Sequence, residues 1–252
     1  RGLLIYPSTR PINRVLEFSS NPYIPGVTGD INGIKNLLRE VGIEIENKKY
    51  KSLIELNEDE MSKITTSIFL RLPKNKTHDS LIGDIFLIKL YNKLEDAREL
   101  SARINACSRL GETGTAIQFC IENQNALKRA ELLHARYRRL IISALEFVTK
   151  KEKIEGNGYI IINAKKEIKE TITGTITSII SRSSIYEEGT IITIMTQYEN
   201  DEEKIKISSR IAGNSNYNLN GRNVRNILSA VINKIGGEVG GHESAAGAII
   251  EK

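Results

Sequence analysis

The sequence predicts an α/β protein in two textures. A helical N-terminal and linker region with a long connecting helix comes first, then an α/β domain with a mixed sheet. Three observations carry this reading. From Asn125 to Thr149 apolar residues recur in steps of three and four, the period of a helix. After Lys150 β-branched runs take over, and Lys204–Ile211 alternates between isoleucine and polar residues, the period of a strand. Of the 252 residues, 40% are apolar and 27% charged, a balance that buries a core and excludes a wholly disordered chain. The expected divisions are 1–46, 47–150 and 151–252.

Along the chain, Leu3-Leu4-Ile5-Tyr6, closed by Pro7, reads as a buried strand. An opening strand with no partner before it looks like the tail of a domain whose beginning is missing. The absent initiator Met points to a fragment in the same way. Asn21-Pro22-Tyr23-Ile24-Pro25-Gly26 blocks regular structure. Asp30 then caps a helix whose apolar stripe is Ile31, Ile34, Leu37, Leu38 and Val41. Met61, Ile64, Ile68 and Phe69 signal a second helix from Glu58 to Leu72, and Pro73–Ser80 is a polar loop holding His78. Amphipathic segments follow around Leu81–Leu90 and Glu95–Leu110, the second ended by Gly111.

The longest helix carries Ala126, Ala130, Leu133, Tyr137, Leu140, Ala144 and Val148 on one side. At 1.5 Å per residue, about 25 residues span roughly 40 Å, so it reads as a strut between two parts of the molecule. Its basic side, Lys128, Arg129, Arg136, Arg138 and Arg139, reads as a solvated or salt-bridged face, and His134 as an interface histidine. Beyond it, Tyr159–Asn163, Thr190–Tyr198 and Lys204–Ile211 are strands. Thr171–Ser181 is rich in β-branched residues, yet Ile172, Ile176, Ile179 and Ile180 follow helical spacing, and helix is preferred. Asn220–Ile235 is a helix through Val224, Ile227, Leu228, Val231 and Ile235; a glycine-rich turn and a strand at Ala245–Ile250 close the chain. Strand–helix–strand–strand–helix–strand makes one compact unit of about a hundred residues.

Charge and cysteine narrow the function. The 36 Lys and Arg exceed the 31 Asp and Glu by five, an excess that permits a nucleic-acid partner without requiring one. Two cysteines make no disulfide framework; Cys107 and Cys120 read as reduced core residues of a cytoplasmic protein. No uncharged apolar stretch approaches the ~20 residues that cross a bilayer, so no membrane partner is expected. No P-loop, zinc cluster or Ser-His-Asp set is present, and no cofactor is implied.

The most specific string is Gly236-Gly237-Glu238-Val239-Gly240-Gly241-His242-Glu243-Ser244-Ala245-Ala246-Gly247. Glycines let a backbone approach a ligand and turn its N–H groups toward an anion, and an imidazole adds a hydrogen bond. A tight helix-to-strand turn with an incidental histidine explains the same residues, and composition leaves both open. Lys204, Lys206 and Arg210 share one strand face, which suits a phosphate track or a solvated sheet surface equally.

Gly240-Gly241-His242-Glu243-Ser244-Ala245-Ala246-Gly247 resembles the GGHxxAAG signature of the DHH-associated domain, the C-terminal half of RecJ-type DHH phosphoesterases. Ser208-Ser209-Arg210 stands where that family has a strand bearing a nucleic-acid-contacting arginine. Asp96-Ala97-Arg98-Glu99-Leu100, Ile104–Gly111 and Asn21–Gly29 are similar to segments of archaeal RecJ-like proteins, so the resemblance runs from about Ile12 to the end. It implies a remnant of the DHH domain in 1–46, a helical region with the connecting helix in 47–150 and a DHH-associated domain in 151–252. The family's nuclease site needs several aspartates and a DHH triplet to hold two divalent metal ions. This chain has no DHH, and its histidines His78, His134 and His242 lie far apart. The resemblance therefore implies a non-catalytic, chromosome-associated subunit of the archaeal CMG helicase. It would bind the GINS complex, support the MCM helicase and contact single-stranded DNA through Arg210, Gly240, Gly241 and His242, with Lys204 and Lys206 as electrostatic support. Two alternatives remain: the C-terminal fragment of an active single-strand exonuclease whose metal site lies elsewhere, and an RNA-binding module, since the same domain ends alanyl-tRNA synthetases.

Overall fold

The computed structural model describes residues 2–5, 7–19, 22, 24–46, 48–72, 81–183, 185–213 and 222–251. Tyr6, Asn21, Tyr23, the loop at 73–80 with His78, and the expected helix start at Asn220 lie outside the described residues. The chain divides into two units: 1–108 with 112–131, and 109–111 with 132–252.

The first unit runs β1 (Gly2–Leu3), α1 (Ile12–Glu17), α2 (Ile31–Glu40), β2 (Ile45–Glu46), β3 (Lys49–Tyr50), α3 (Glu58–Arg71), β4 (Ile82–Gly83), β5 (Leu87–Leu90), β6 (Lys93–Asp96), α4 (Ala97–Arg109) and α5 (Thr113–Cys120). α6 (Gln124–Lys150) begins in this unit and passes into the second. The opening strand does have a partner, β4, which reaches it from later in the chain. One core gathers Leu3, Ile12, Leu16, Leu37, Leu38, Leu53, Ile64 and Ile68, from both sides of position 46. Asp30 caps α2 as its sequence suggests, accepting from the N–H groups of Asn32 and Gly33. Asn57 and Glu60 cap α3 reciprocally. The amphipathic segment Leu81–Leu90 supplies β4 and β5, and β5 turns through Tyr91 and Asn92 into β6. Cys107 is buried, whereas Cys120 is exposed at the end of α5 and is no core residue.

Two features of this unit make sharp predictions. A Cβ on Gly33 would lie 1.8 Å from the Gly26 carbonyl oxygen, so α2 packs against the Gly26 turn only because position 33 is bare. Gly33→Ala is expected to lower stability by about 2–3 kcal/mol, read as a shifted urea midpoint. Asp96 is fully buried and accepts from Ser8 N (3.0 Å), Ser8 Oγ (2.7 Å), Arg98 N (2.9 Å), Arg98 Nε (3.0 Å) and Arg98 Nη2 (2.7 Å). Burial pushes its carboxyl upward, but the Arg98 and Ser8 donors win and hold it at about 2. Because the folded value is depressed, the stabilisation is complete above the unfolded value of about 4 and lost as pH falls through about 2. Asp96→Asn, measured at neutral pH, should cost about 3 kcal/mol, since Arg98 loses its buried counter-charge.

The second unit holds the rest of α6, then β7 (Ile154–Gly156), β8 (Tyr159–Lys165), α7 (Glu170–Arg182), β9 (Ile191–Gln197), β10 (Lys204–Ile211), α8 (Val224–Ile235), β11 (Glu238–His242) and β12 (Ala245–Glu251). Six strands form one mixed sheet in the order β11-β12-β10-β9-β8-β7, parallel only between β8 and β9. The four interior strands and both helices follow the sequence pattern; the two edges, β7 and β11, do not announce themselves in it. Spacing wins over propensity in α7, where Ile172, Ile176 and Ile180 are buried. Thr173 and Thr196 tie that helix to β9 by a buried Oγ···Oγ hydrogen bond of 2.9 Å. α7 and the later part of α6 cover one face, over Ile160, Ile162, Ile192 and Ile194. α8 covers the other face, over Ile207, Ile211, Ala246, Ala248 and Ile250.

Candidate nucleic-acid interface

The two helices sit diagonally across the sheet. α7 packs on β9 and β10, α8 on β12, β11 and part of β10. On the α7 face, β12 and β11 therefore carry no helix. Residues paired across strands project to the same side of a sheet, so the register defines what lines this opening. One row is His242, Ala245 and Arg210; the next is Gly240, Gly247 and Ser208; the third is Glu238, Ile249 and Lys206.

The middle row makes a floor. Gly240 opposes Gly247, and a Cβ added at Gly240 would meet nothing within 4 Å, so that position opens onto free space. At Gly241, by contrast, φ is +130°, and a Cβ would lie 2.4 Å from the Ala245 carbonyl oxygen and 2.6 Å from the Ala246 Cα. Its requirement for glycine is internal to the hairpin. The two neighbouring glycines thus do different work: Gly241 shapes the strand, and Gly240 keeps the surface flat. Neither forms the anion-cradling turn that a glycine run suggests, because both lie in β11 and pair with β12. The hairpin turn is pinned at both residues, as Val224 N donates to Glu243 O (2.7 Å) and Ile211 N to Ser244 O (3.1 Å). That fixes His242, exposed, at one rim of the floor.

Arg210 forms the other rim, two strand spacings or roughly 10 Å away. Its guanidinium is half-buried and donates to Ser178 Oγ (3.2 Å), Ser209 O (2.8 Å), Ala246 O (3.2 Å) and Ser208 Oγ (3.4 Å). Every one of these acceptors is neutral. Burial, with Arg182 nearby, lowers its pKa from the ordinary arginine value. A cation held in place with no carboxylate at its fork among the described residues is preorganised for a phosphate or another anion. Gly174 of α7 leaves room beside it, where a Cβ would come within 3.7 Å of Arg210 Nη2. Ser178 and the Ala246 carbonyl, which hold the guanidinium, and Gly174, which leaves it room, are not legible in the sequence as site residues because α7 meets β10 only in the fold.

The two lysines stand apart from this pair. Lys204 is exposed and bound to Asp201 at 2.9 Å, so its charge is already partnered. Lys206 is half-buried, and desolvation lowers its pKa. Arg210 and His242 are the sequence-predicted side chains brought to the rims, with Gly240 between them. Among the described residues no three His, Cys, Asp or Glu side chains gather so as to hold a metal ion, so the two metal ions of the nuclease family find no fitting ligand set there. Among the same residues no helix is long and apolar enough to cross a membrane.

Residues 5–85 match the DHH-CID domain family, and residues 156–252 match the DHHA1 domain family. An uncharacterised protein of Methanocaldococcus jannaschii is 28% identical over 241 residues, covering 96% of this chain and 49% of the relative. The chain thus spans about half the length of that curated relative. Among solved structures, the C-Ala domain of Aquifex aeolicus alanyl-tRNA synthetase aligns with a TM-score of 0.30 at 10% identity, over 40% of this chain and 83% of that one. A DHH domain described as a member of the s1p family of ribosomal proteins aligns with a TM-score of 0.37 at 12% identity, over 75% of this chain and 42% of that one. The open floor lies within the DHHA1 match, and the core of the first unit, apart from Leu3, within the DHH-CID match. Along the chain, then, a match to the DHH-CID domain family is followed by a match to the DHHA1 domain family.

Proposed function

We propose that this protein is a non-catalytic DNA replication factor. It binds the GINS complex as the RecJ-like subunit of the archaeal CMG helicase, works beside the MCM motor, and holds single-stranded DNA on the open β11–β12 surface. The observation that carries the DNA part is Arg210: a positioned guanidinium whose acceptors among the described residues are all neutral, at the rim of a glycine floor. A single strand suits this surface because its bases are free to lie flat and its phosphates supply the missing counter-charge. The GINS part is supported by the strings at Asn21–Gly29 and Ile104–Gly111, which resemble archaeal RecJ-like proteins. Co-elution with purified GINS on a sizing column tests it: a joint peak is expected, and separate peaks at micromolar concentration would contradict it. The same sample should release no nucleotides from labelled single strands when manganese is added. Release that a chelator abolishes would instead favour the exonuclease reading.

A further inference from the structure

Arg210 has a second cation beside it. Gly174 and Ser178, which flank its guanidinium, lie four residues apart on α7, and the next residue in that step is Arg182, the last of the helix. Residues four apart are neighbours on a helix surface, so Arg182 stands one turn, about 6 Å, beyond Ser178. It is exposed, and among the described residues its guanidinium forms no ion pair and no hydrogen bond. The two guanidinium groups are within electrostatic reach of each other, since Arg182 adds to burial in lowering the pKa of Arg210. The four acceptors around Arg210 are neutral, so among the described residues neither arginine has a carboxylate partner. The C-terminal end of a helix favours a cation in any case. That explains a basic residue at 182, but not two arginines brought together with no acid between them.

The acids of this face gather at its other end. The three cross-strand rows hold one, Glu238, and it stands in the third row with Ile249 and Lys206. Glu170 opens α7, about 18 Å from Arg182 along the helix, and its charge acts on Lys206. A polyanion therefore meets uncompensated positive charge at the first row, whereas Glu170 and Glu238 offset Lys206 and Arg109 at the third. We infer that Arg182 is a second phosphate-binding residue, which holds the phosphate next to the one on Arg210. The single strand then crosses the sheet along the row His242, Ala245 and Arg210 and leaves it over the C-terminal end of α7. This path rests on the reading of the β11–β12 floor as the DNA surface, and it adds to that reading a residue from a helix and a direction across the strands.

Fluorescence titrations of the full chain with a labelled single-stranded oligonucleotide, at several salt concentrations, test the path. Arg182→Ala is expected to weaken binding by about five- to tenfold and to reduce the salt slope by about one unit, with thermal melting unchanged. Lys234→Ala, which removes an exposed charge from α8 on the other face of the sheet, should leave both quantities as they are. An equal loss in Lys234→Ala would show a response to net charge and overturn the inference. Arg210→Ala separates the two claims. If it weakens binding and Arg182→Ala does not, the floor stays the DNA surface and the path over α7 is wrong. If neither weakens binding, the DNA surface falls and the role of Arg182 with it. Should Arg182→Ala disturb folding, Arg182→Gln decides in its place.

Discussion

Replacing Arg210 and His242 together by Ala is expected to weaken single-stranded DNA binding at low salt by tenfold or more. A charge-assisted hydrogen bond to phosphate is worth about 1.5–3 kcal/mol, and each 1.4 kcal/mol is roughly a factor of ten in affinity. The salt dependence should flatten as well, by about one unit of slope for each phosphate that is no longer neutralised. The fold should survive, because Arg210 gives up hydrogen bonds to neutral acceptors and at the same time relieves the cost of holding a half-buried cation beside Arg182. Thermal melting checks that, and Arg210→Lys separates charge from geometry, since it keeps the former and removes the planar fork. A fluorescence titration showing unchanged affinity for the double variant would remove this surface from the account.

The glycines give the second large effect. Gly240→Val should leave stability nearly unchanged, because a Cβ there meets open space, yet it raises the floor between the two rims and should reduce DNA affinity several-fold. Gly241→Ala should do the reverse. Its φ of +130° and the approach to Ala245 and Ala246 force the hairpin apart, at a cost of about 2–3 kcal/mol. Paired measurements of melting and affinity on the two variants distinguish a surface kept flat for a ligand from one kept flat for packing. Loss of stability in Gly240→Val with no effect on binding would show the second.

Much of this architecture is legible in the sequence because period reports burial directly. The long helix follows from the spacing of its alanines, leucines and valine, and α7 and the alternation of β10 from that of their isoleucines. The elements that escape have identifiable causes. β7 is three residues in a Lys- and Glu-rich stretch, and β11 is half glycine and polar, so neither carries an apolar period; edge strands are often written this way. Leu81–Leu90 shows only an amphipathic run, and short runs of that kind fit either period, so its two strands are not legible. At the site, Arg210 and His242 can be named from the signature they resemble, but not Ser178 or the Ala246 carbonyl, which belong to elements that only the sheet order brings together. The glycine run reads as a loop because glycine signals a turn as readily as a bare strand; register, not composition, separates the two roles of Gly240 and Gly241.

The most direct test of the central claim is to map where a single strand lies. A single-stranded oligonucleotide carrying iodouracil, photocross-linked to the full chain and followed by peptide mapping, should mark the β11–β12 hairpin between Glu238 and Gly247, His242 foremost. Marks confined to the opposite face, at Tyr159, Ile227 or Val231, or confined to the first unit, would contradict the assignment of the open glycine floor as the DNA surface.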